Sequence, residues 1–549
     1  MIKISKSKES DILSLLKNKK FKKLKKIIDS LSDDEKETPF ILNVIGILKV
    51  SKEVFFTNDA REALMLFEKA YKKDKSFHDS LYNYASISLK THIIANVLHY
   101  LKDHLKREKN DLSALTLLGS VYYQLGKIED SINCFKKTVD KKETRKFQWQ
   151  NLLGISNYSM SLTHKSYMEL GNKYSNSFKK FDEKELESFK YSENKEKIRI
   201  GFFSTNLKKH SVANFLIETI KTLNLNSFET IAFNQTLETD EITKEFKSIF
   251  SEWYDVHSLT DLDTVNLIRN KKINILFDLV GYTEGSRMEI FKNRSAPIQI
   301  SWIGYTNSTC INEMDYIIVD PYVIEKKQSF TEKFIKLPNI WSCHTPIKEN
   351  IKVEKLPALK NKYITFGSFN SFSKISDETI DIWSELLIKT NSKLILKSST
   401  KRYAEAKIIL LSKFKKHGVN LENIKILERT ANLVDHLKCY NNIDIALDTF
   451  PYNGATTSFE AIWMGVPVLT IYGSKFNSRY GYSINKNLDL RKFIASNKND
   501  FVNKGISTSS NLEELSELRK NIRHKALNSA LFDTKRFNEN FIKEINRLF

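Results

Sequence analysis

Thr456, Thr457 and Glu460 lie in the stretch Ile443–Gly473, IDIALDTFPYNGATTSFEAIWMGVPVLTIYG, and their types suit the grip of a phosphorylated ligand. Ile443–Leu447 is an apolar run of strand length. Phe450-Pro451-Tyr452-Asn453-Gly454 breaks it, because proline lacks an N–H and Asn-Gly favours a turn. Thr456, Thr457 and Ser458 then sit where a helix begins, and Phe459, Ala461, Ile462 and Trp463 start its apolar face. Gly465-Val466-Pro467 stops the helix before the next buried strand, Val468–Ile471. A helix start after a strand offers unpaired N–H groups and a positive dipole end to a phosphate. Glu460, one turn in, is placed to accept hydrogen bonds from ribose hydroxyls. An ordinary βαβ unit with threonine caps accounts for the same residues, and the spacing alone leaves both readings open.

Three more side chains belong with this stretch. Lys374 follows the strand Tyr363–Phe366 on the loop before a helix, where it would meet a diphosphate from the side opposite Thr456 and Thr457; the plain alternative is solvent. His436, on the helix Asn432–Tyr440, has a flat face for stacking on a base, or is simply an exposed helix position. His210 follows the strand Ile198–Phe203, where it would take a proton near neutral pH, bind a phosphate, or cap the next helix.

The elements that must carry these residues alternate. Strands at Ile198–Phe203, Thr230–Phe233, Ile273–Leu279, Ile298–Ile303 and Met314–Asp320 are separated by helices, and the alternation restarts at Tyr363–Phe366, Leu394–Lys397 and Ile424–Leu427. This predicts two doubly wound, Rossmann-like lobes, 197–354 and 355–549, whose strand ends face each other across a cleft. Ahead of them, residues 1–165 show helical periodicity. Asp111–Asp140 resembles a tetratricopeptide repeat, with Gly119 and Ser131 where two helices pack closely; Gly46, Ala63, Phe67 and Ala70 form a weaker copy with an insertion around Val54–Asn58. Leu81–Leu105 reads as a degenerate pair, Ile12–Leu31 as a cap, and 166–196 as a last helix and linker. Such repeats either hold a peptide or brace the following domain.

A chain of 549 residues exceeds one core. Lys and Arg outnumber Asp and Glu by 87 to 66, but the lysines are spread along the whole chain, with no arginine-rich arm or RNA-binding signature, so no nucleic-acid partner is expected. Cys134, Cys310, Cys343 and Cys439 form no CxxC pair, which argues for a reducing compartment and against a disulfide frame or zinc. No apolar run suggests a leader or a membrane span, so the expected location is cytoplasmic.

Taken together, Ile198–Phe215 with His210, Asp278–Arg287, Ala296–Tyr305, Met314–Asp320, Ile364–Ile375 with Asn370 and Lys374, and Ile443–Gly473 resemble, in order and spacing, the O-linked N-acetylglucosamine transferase/SPINDLY-like glycosyltransferases. The resemblance covers about 197–545 and implies tetratricopeptide repeats joined to a GT-B catalytic region. It implies an inverting, metal-independent transfer, with no cofactor, from a UDP-sugar, UDP-N-acetylglucosamine first, to Ser or Thr hydroxyls of a protein or peptide acceptor, with the repeats as one place to hold it. It assigns Lys374, Thr456 and Thr457 to the diphosphate, Glu460 to the ribose, His436 and the backbone of Ala431 to uracil, and His210 to the acceptor side. This chain departs from the family's pattern at Asn206, Leu207, Ser211, Thr306-Asn307-Ser308, Ser371 and Ala455. Those positions leave GDP-fucose, UDP-glucose, a glycan acceptor, or an inactive repeat scaffold as alternatives.

Overall fold

The computed structural model describes every residue except 1–3, 52–56, 92, 94–95, 142–145, 178, 190–196, 226–227, 326–327 and 398–403. The chain forms two compact units, Met1–Gln148 with Ser399–Ile409, and Trp149–Ser398 with Leu410–Phe549.

The first unit is helical. In the pair Pro39–Lys49 and Thr57–Lys73, a Cβ on Gly46 would lie 2.5 Å from the Phe67 ring. In the pair Leu112–Gln124 and Ile128–Val139, a Cβ on Gly119 would lie 2.8 Å from the Phe135 ring, and Ser131 Oγ donates to the Gly119 carbonyl at 2.7 Å. Both pairs therefore use a glycine to seat a phenylalanine from the partner helix, the close approach expected of the repeat. The helices His78–Thr91 and Val97–Arg107 lie between them in the chain, where the degenerate pair is expected. The expected cap is two helices, Lys6–Lys17 and Phe21–Asp29, whose Ile12, Leu24 and Ile28 cluster with Ile41 and Val44 of the first repeat. Most of the expected insertion, and the end of the expected linker, lie outside the described residues.

The second unit begins ahead of the boundary expected near 165. The helix His164–Ser177, read from sequence as leading into a linker, is packed into it: the Tyr167 hydroxyl meets that of Tyr305 at 2.6 Å and donates to the Ser308 carbonyl at 2.7 Å. Two sheets follow. The first holds β1 (Ile198–Ser204), β2 (Phe228–Asn234), β3 (Glu252–Asp255), β4 (Ile275–Asp278), β5 (Ile298–Ser301), β6 (Tyr316–Val319) and β7 (Lys333–Lys336), in the order β3-β2-β1-β4-β5-β6-β7. The second holds β8 (Thr365–Ser368), β9 (Lys393–Lys397), β10 (Ile424–Leu427), β11 (Ile445–Leu447), β12 (Val468–Ile471) and β13 (Ile494–Ala495), in the order β10-β9-β8-β11-β12-β13. All the pairings given for these strands are parallel.

Strand order reverses between β1 and β4 in one sheet and between β8 and β11 in the other. At such points adjacent loops leave in opposite directions and open a crevice at the carboxyl edge. His210 follows β1, Lys374 follows β8, and Thr456 and Thr457 follow β11, so these sequence-predicted residues leave the strands that flank the reversals. The terminal helix Thr534–Asn546, expected with the second lobe, returns to the first. The buried Asn538 accepts from Thr219 at 2.8 Å and donates to Thr222 at 2.9 Å, and Phe541 packs against Trp302 with ring centroids 5.0 Å apart.

Candidate functional site

The end of β11 is organised by a side chain that the sequence reading passed over. Asp448 is buried and accepts hydrogen bonds from the amides of Gly454 at 2.7 Å and Thr449 at 2.9 Å and from the Thr470 hydroxyl at 2.8 Å. Its carboxylate thus folds residues 449–454 back on the strand and aims the chain into the helix Thr456–Trp463. Burial pushes the Asp448 carboxyl up to about 6, against the pull of its hydrogen-bond donors and of Lys374. Ala455 at the cap position supplies no side-chain acceptor to the first amides of this helix, and its positive end lines the cleft. Thr457 Oγ1 donates to Asn370 Oδ1 at 3.1 Å, which ties the helix start to the end of β8. A Cβ at position 454 would lie 2.3 Å from Thr457 Oγ1 and 2.8 Å from Asn370 Oδ1, so the loop requires a glycine there.

Lys374 closes a short turn, Phe372–Lys374, after β8. Its Nζ donates to the Asn453 carbonyl at 3.0 Å and sits 4.2 Å from the centroid of the Tyr452 ring. Among the described residues no carboxylate pairs with it at ion-pair distance. Burial pushes its pKa down to about 8, with the more remote Asp448 pulling the other way. A desolvated ammonium held by a carbonyl and a ring face, beside an uncapped helix start, is a cationic site built for an anion.

Glu460 and His436 are brought together, though each was read separately from sequence. Lys397 Nζ donates to His436 Nδ1 at 2.7 Å, which leaves the ring proton on Nε2, 3.0 Å from Glu460 Oε2. The buried Tyr440 donates to the same oxygen at 3.2 Å and contacts the Thr457 carbonyl at 3.2 Å. His436 is therefore oriented from both ring nitrogens, and Glu460 is held on the same helix as Thr456 and Thr457. Ala431 is exposed on the bend before the helix Leu433–Lys438; it, His436 and Glu460 lie outside the lining of the main cleft.

That cleft has a volume of about 520 Å³ and draws on both lobes: His210 and Thr283 come from one side, Lys374, Thr456 and Thr457 from the other. His210 is exposed at its rim, yet the surrounding protein and then the charge of Lys208 push its pKa below the ordinary value, so it is neutral at pH 7. Its Nδ1 accepts from the Val212 amide at 3.3 Å, which places the proton on Nε2. In this tautomer Nε2 donates and does not accept; service as a base at Nε2 requires the proton to move to Nδ1 and the long Val212 contact to be given up. Most of the positions at which the chain departs from the expected pattern line the same cleft: Asn206, Ser211, Thr306, Ser371 and Ala455. Thr306 meets the hydroxyl of Tyr480, whose ring stacks on Trp341 with centroids 4.9 Å apart.

Besides Asp448, sequence reasoning missed Lys397 and missed Tyr452 as the platform under Lys374. Lys397 closes β9 and Asp448 follows β11, and a polar residue at the end of an apolar strand was the signal available for both.

Two parallel sheets with a shared cleft at their carboxyl edges, and a terminal helix that crosses back, are the GT-B architecture. The family model described as glycosyl transferase family 41 matches residues 157–352 and 344–541, more than half of the chain, and the chain belongs to that family. A second model, anaphase-promoting complex, cyclosome, subunit 3, matches 57–138, within the helical repeats. The chain is 31% identical over 348 residues to the probable UDP-N-acetylglucosamine–peptide N-acetylglucosaminyltransferase SPINDLY of Petunia hybrida, a match covering 62% of this chain and 37% of that protein. It is 27% identical over 369 residues to the corresponding SEC protein of Arabidopsis thaliana, covering 63% of this chain and 36% of that one. The chain thus spans little more than a third of the length of these relatives. A variant of Thermobaculum terrenum O-GlcNAc transferase shares the fold with a TM-score of 0.81 at 22% identity, covering 94% of this chain and 98% of that structure.

Proposed function

We propose that the chain transfers a sugar from a nucleoside-diphosphate donor, UDP-N-acetylglucosamine, to Ser or Thr hydroxyls of a protein acceptor, with inversion and without a metal. The observation that carries the reading is the Lys374 ammonium, desolvated and, among the described residues, without a carboxylate partner at ion-pair distance, beside the start of the helix Thr456–Trp463, which has no side-chain cap. The names of the SPINDLY and SEC relatives support the donor and the peptide acceptor.

In this mechanism the acceptor oxygen attacks the anomeric carbon, the bond to the diphosphate oxygen breaks, the hydroxyl proton passes to solvent, and negative charge grows on the departing nucleoside diphosphate. Lys374, the first amides of the helix and its dipole stabilise that charge where it develops. Thr457 is held by Asn370, so the helix start needs no rearrangement when the charge arrives. Glu460 and His436, fixed against each other outside the lining of the main cleft, are the groups proposed for ribose and base. His210 stands on the opposite side of the cleft, toward the acceptor, and donates from Nε2 unless its tautomer switches.

No helix among the described residues is long and apolar enough to cross a membrane. All four cysteines are free, which supports a reducing, cytoplasmic setting. The repeats are the surface proposed to hold the acceptor.

The test is a thermal-shift titration with UDP, GDP, UDP-N-acetylglucosamine, UDP-glucose and GDP-fucose, followed by a transfer assay with the nucleotide sugar that stabilises the protein. A ligand of the native state raises its melting temperature. Selective stabilisation by the uridine nucleotides is the expected result. Selective stabilisation by GDP and GDP-fucose would move the donor, a reading favoured by the replaced residues that line the cleft. No stabilisation by any of them would overturn the transferase reading.

A further inference from the structure

The helical unit holds a cluster that the transfer does not use. His78, His104 and Asp111 come from three different places in the chain, and one donor atom from each lies within 4.8 Å of the others. His78 opens the helix His78–Thr91, His104 lies on Val97–Arg107, and Asp111 caps Leu112–Gln124. Tyr82, one turn after His78 on the same face, joins them through its hydroxyl on Asp111 Oδ2.

Capping does not account for this group. Asp111 Oδ1 already accepts from the Ala114 amide at 3.0 Å, and that contact alone caps the helix. Its second oxygen nevertheless collects both Tyr82 and His104, the latter at 2.7 Å from Nε2. His104 is fully buried, and with Nε2 turned to Asp111 its Nδ1 has no hydrogen-bond partner among the described residues. A buried imidazole nitrogen without a partner costs free energy that capping a helix does not explain. The His78 ring lies edge-on to His104, with centroids 4.5 Å apart. The surroundings favour a cation. Asp111, Asp79 and Glu108 all bear on Tyr82 as negative charges.

The geometry points to a site for one divalent transition-metal ion of the zinc class, held by His78, His104 and Asp111 with the Tyr82 oxygen at hand, that clips three successive helices of the repeat region together. Two imidazoles and a carboxylate are a borderline nitrogen–oxygen donor set, suited to Zn²⁺ or Co²⁺ and poorly suited to Ca²⁺ or Mg²⁺. Such ions bind imidazole at about 2.0–2.1 Å, so the donors must draw together from their present spread. The His104–Asp111 hydrogen bond opens as they do, and the Nε2 proton shifts to Nδ1 as the ion takes its place. The ion takes no part in the proposed transfer. No local sequence pattern marks this site, because its ligands are spread over three helices.

The test is titration of the full chain, stripped by a chelator, with Co²⁺ followed by its visible absorption and with Zn²⁺ by calorimetry. The variants are His78→Ala and Asp111→Asn. Both are expected to fold, since His78 is only partly buried and asparagine is also a good helix cap, and circular dichroism checks this. The expected result is one ion per chain, a Co²⁺ spectrum without thiolate charge-transfer bands, and a raised melting temperature. Each folded variant should lose affinity on the order of 100-fold or more. Equal binding by wild type and both folded variants, a thiolate band placing the ion on a cysteine, or no binding by the wild type would each overturn the site.

Discussion

The two sides of the cleft are built differently. On the second lobe each group proposed for the donor is held by others: Lys374 by the Asn453 carbonyl and the Tyr452 ring, Thr457 by Asn370, His436 by Lys397 and Glu460, and the loop itself by the buried Asp448. On the first lobe His210 stands exposed, steadied by one contact of 3.3 Å to the Val212 amide. The difference follows from the chemistry proposed for each side. A diphosphate is the same in every donor of one nucleotide class and rewards a rigid site, while acceptors vary and must be admitted from solvent. The replaced positions divide unevenly as well. Asn206, Ser211 and Thr306 lie on the first lobe, and Ser371 and Ala455 on the second, beside but not within the Lys374–Thr456–Thr457 group.

Substitutions should expose this asymmetry. The largest effect is expected from Lys374→Ala, which should lower the transfer rate on the order of 100-fold or more while leaving the fold intact, because one preorganised charge contact at the leaving group is lost. Normal turnover by the folded variant would remove Lys374 from the mechanism. His210→Ala should lower the transfer rate about 10- to 100-fold, within the range of acid–base and positioning groups, with UDP affinity nearly unchanged. The reverse pattern, normal transfer with weakened UDP binding, would place His210 on the donor side and erase the contrast between the lobes.

Asp448→Asn acts one step back. It replaces an acceptor of three hydrogen bonds by a group that must point an N–H at one of them, and should cost about 1–3 kcal/mol of stability. UDP affinity should fall with it, since the same carboxylate positions the loop before Thr456. Unchanged affinity in that variant would show that the loop is held by other means.

The smallest effect is on pH. Lys374, at about 8 in the empty cleft, loses its charge as pH rises through that value, so kcat/KM for the donor should fall above about pH 8. Binding of an anion raises its pKa, and UDP binding near pH 8 should take up protons, visible as a dependence of the calorimetric heat on buffer ionisation. Asp278, Asp320 and Asp448 carry the opposite signature in stability. Burial raises each to about 6 in the folded protein. Their contribution is therefore fully present below the ordinary aspartate value of about 4 and is lost as pH rises through about 6. Asp448→Asn should flatten its share of that slope.

Much of this was legible in the chain because it is local. Strand, turn and helix start occur in one unbroken run at Ile443–Gly473, so Thr456 and Thr457 could be placed at a helix start without any tertiary information, and Gly46 with Phe67 and Gly119 with Phe135 repeat a packing pattern at recognisable spacing. Short edge strands escaped. β3, Glu252–Asp255, is a charged edge whose Glu252 pairs with Arg199, and β7, Lys333–Lys336, carries lysine at both ends; neither has the apolar run of a central strand. β13 is only two residues long. In the site, what escaped was pairing between distant segments. Lys397 is 39 residues from His436, and Glu460 is 24 residues from it, so no window of sequence shows that the three form one chain of hydrogen bonds. The helix Thr534–Asn546 was legible as a helix, but its return to the first lobe depends on Asn538 meeting Thr219 and Thr222.

Lys374 and the start of the helix Thr456–Trp463 are the proposed diphosphate site. Calorimetric titration of UDP into wild type and Lys374→Ala tests it most directly. The account expects saturable binding of one UDP per chain to the wild type, with affinity lowered at least about tenfold in the folded variant, as befits the loss of a charge-assisted contact of about 1.5–3 kcal/mol. Equal affinity in the two proteins, or no binding of UDP to the wild type, would contradict it.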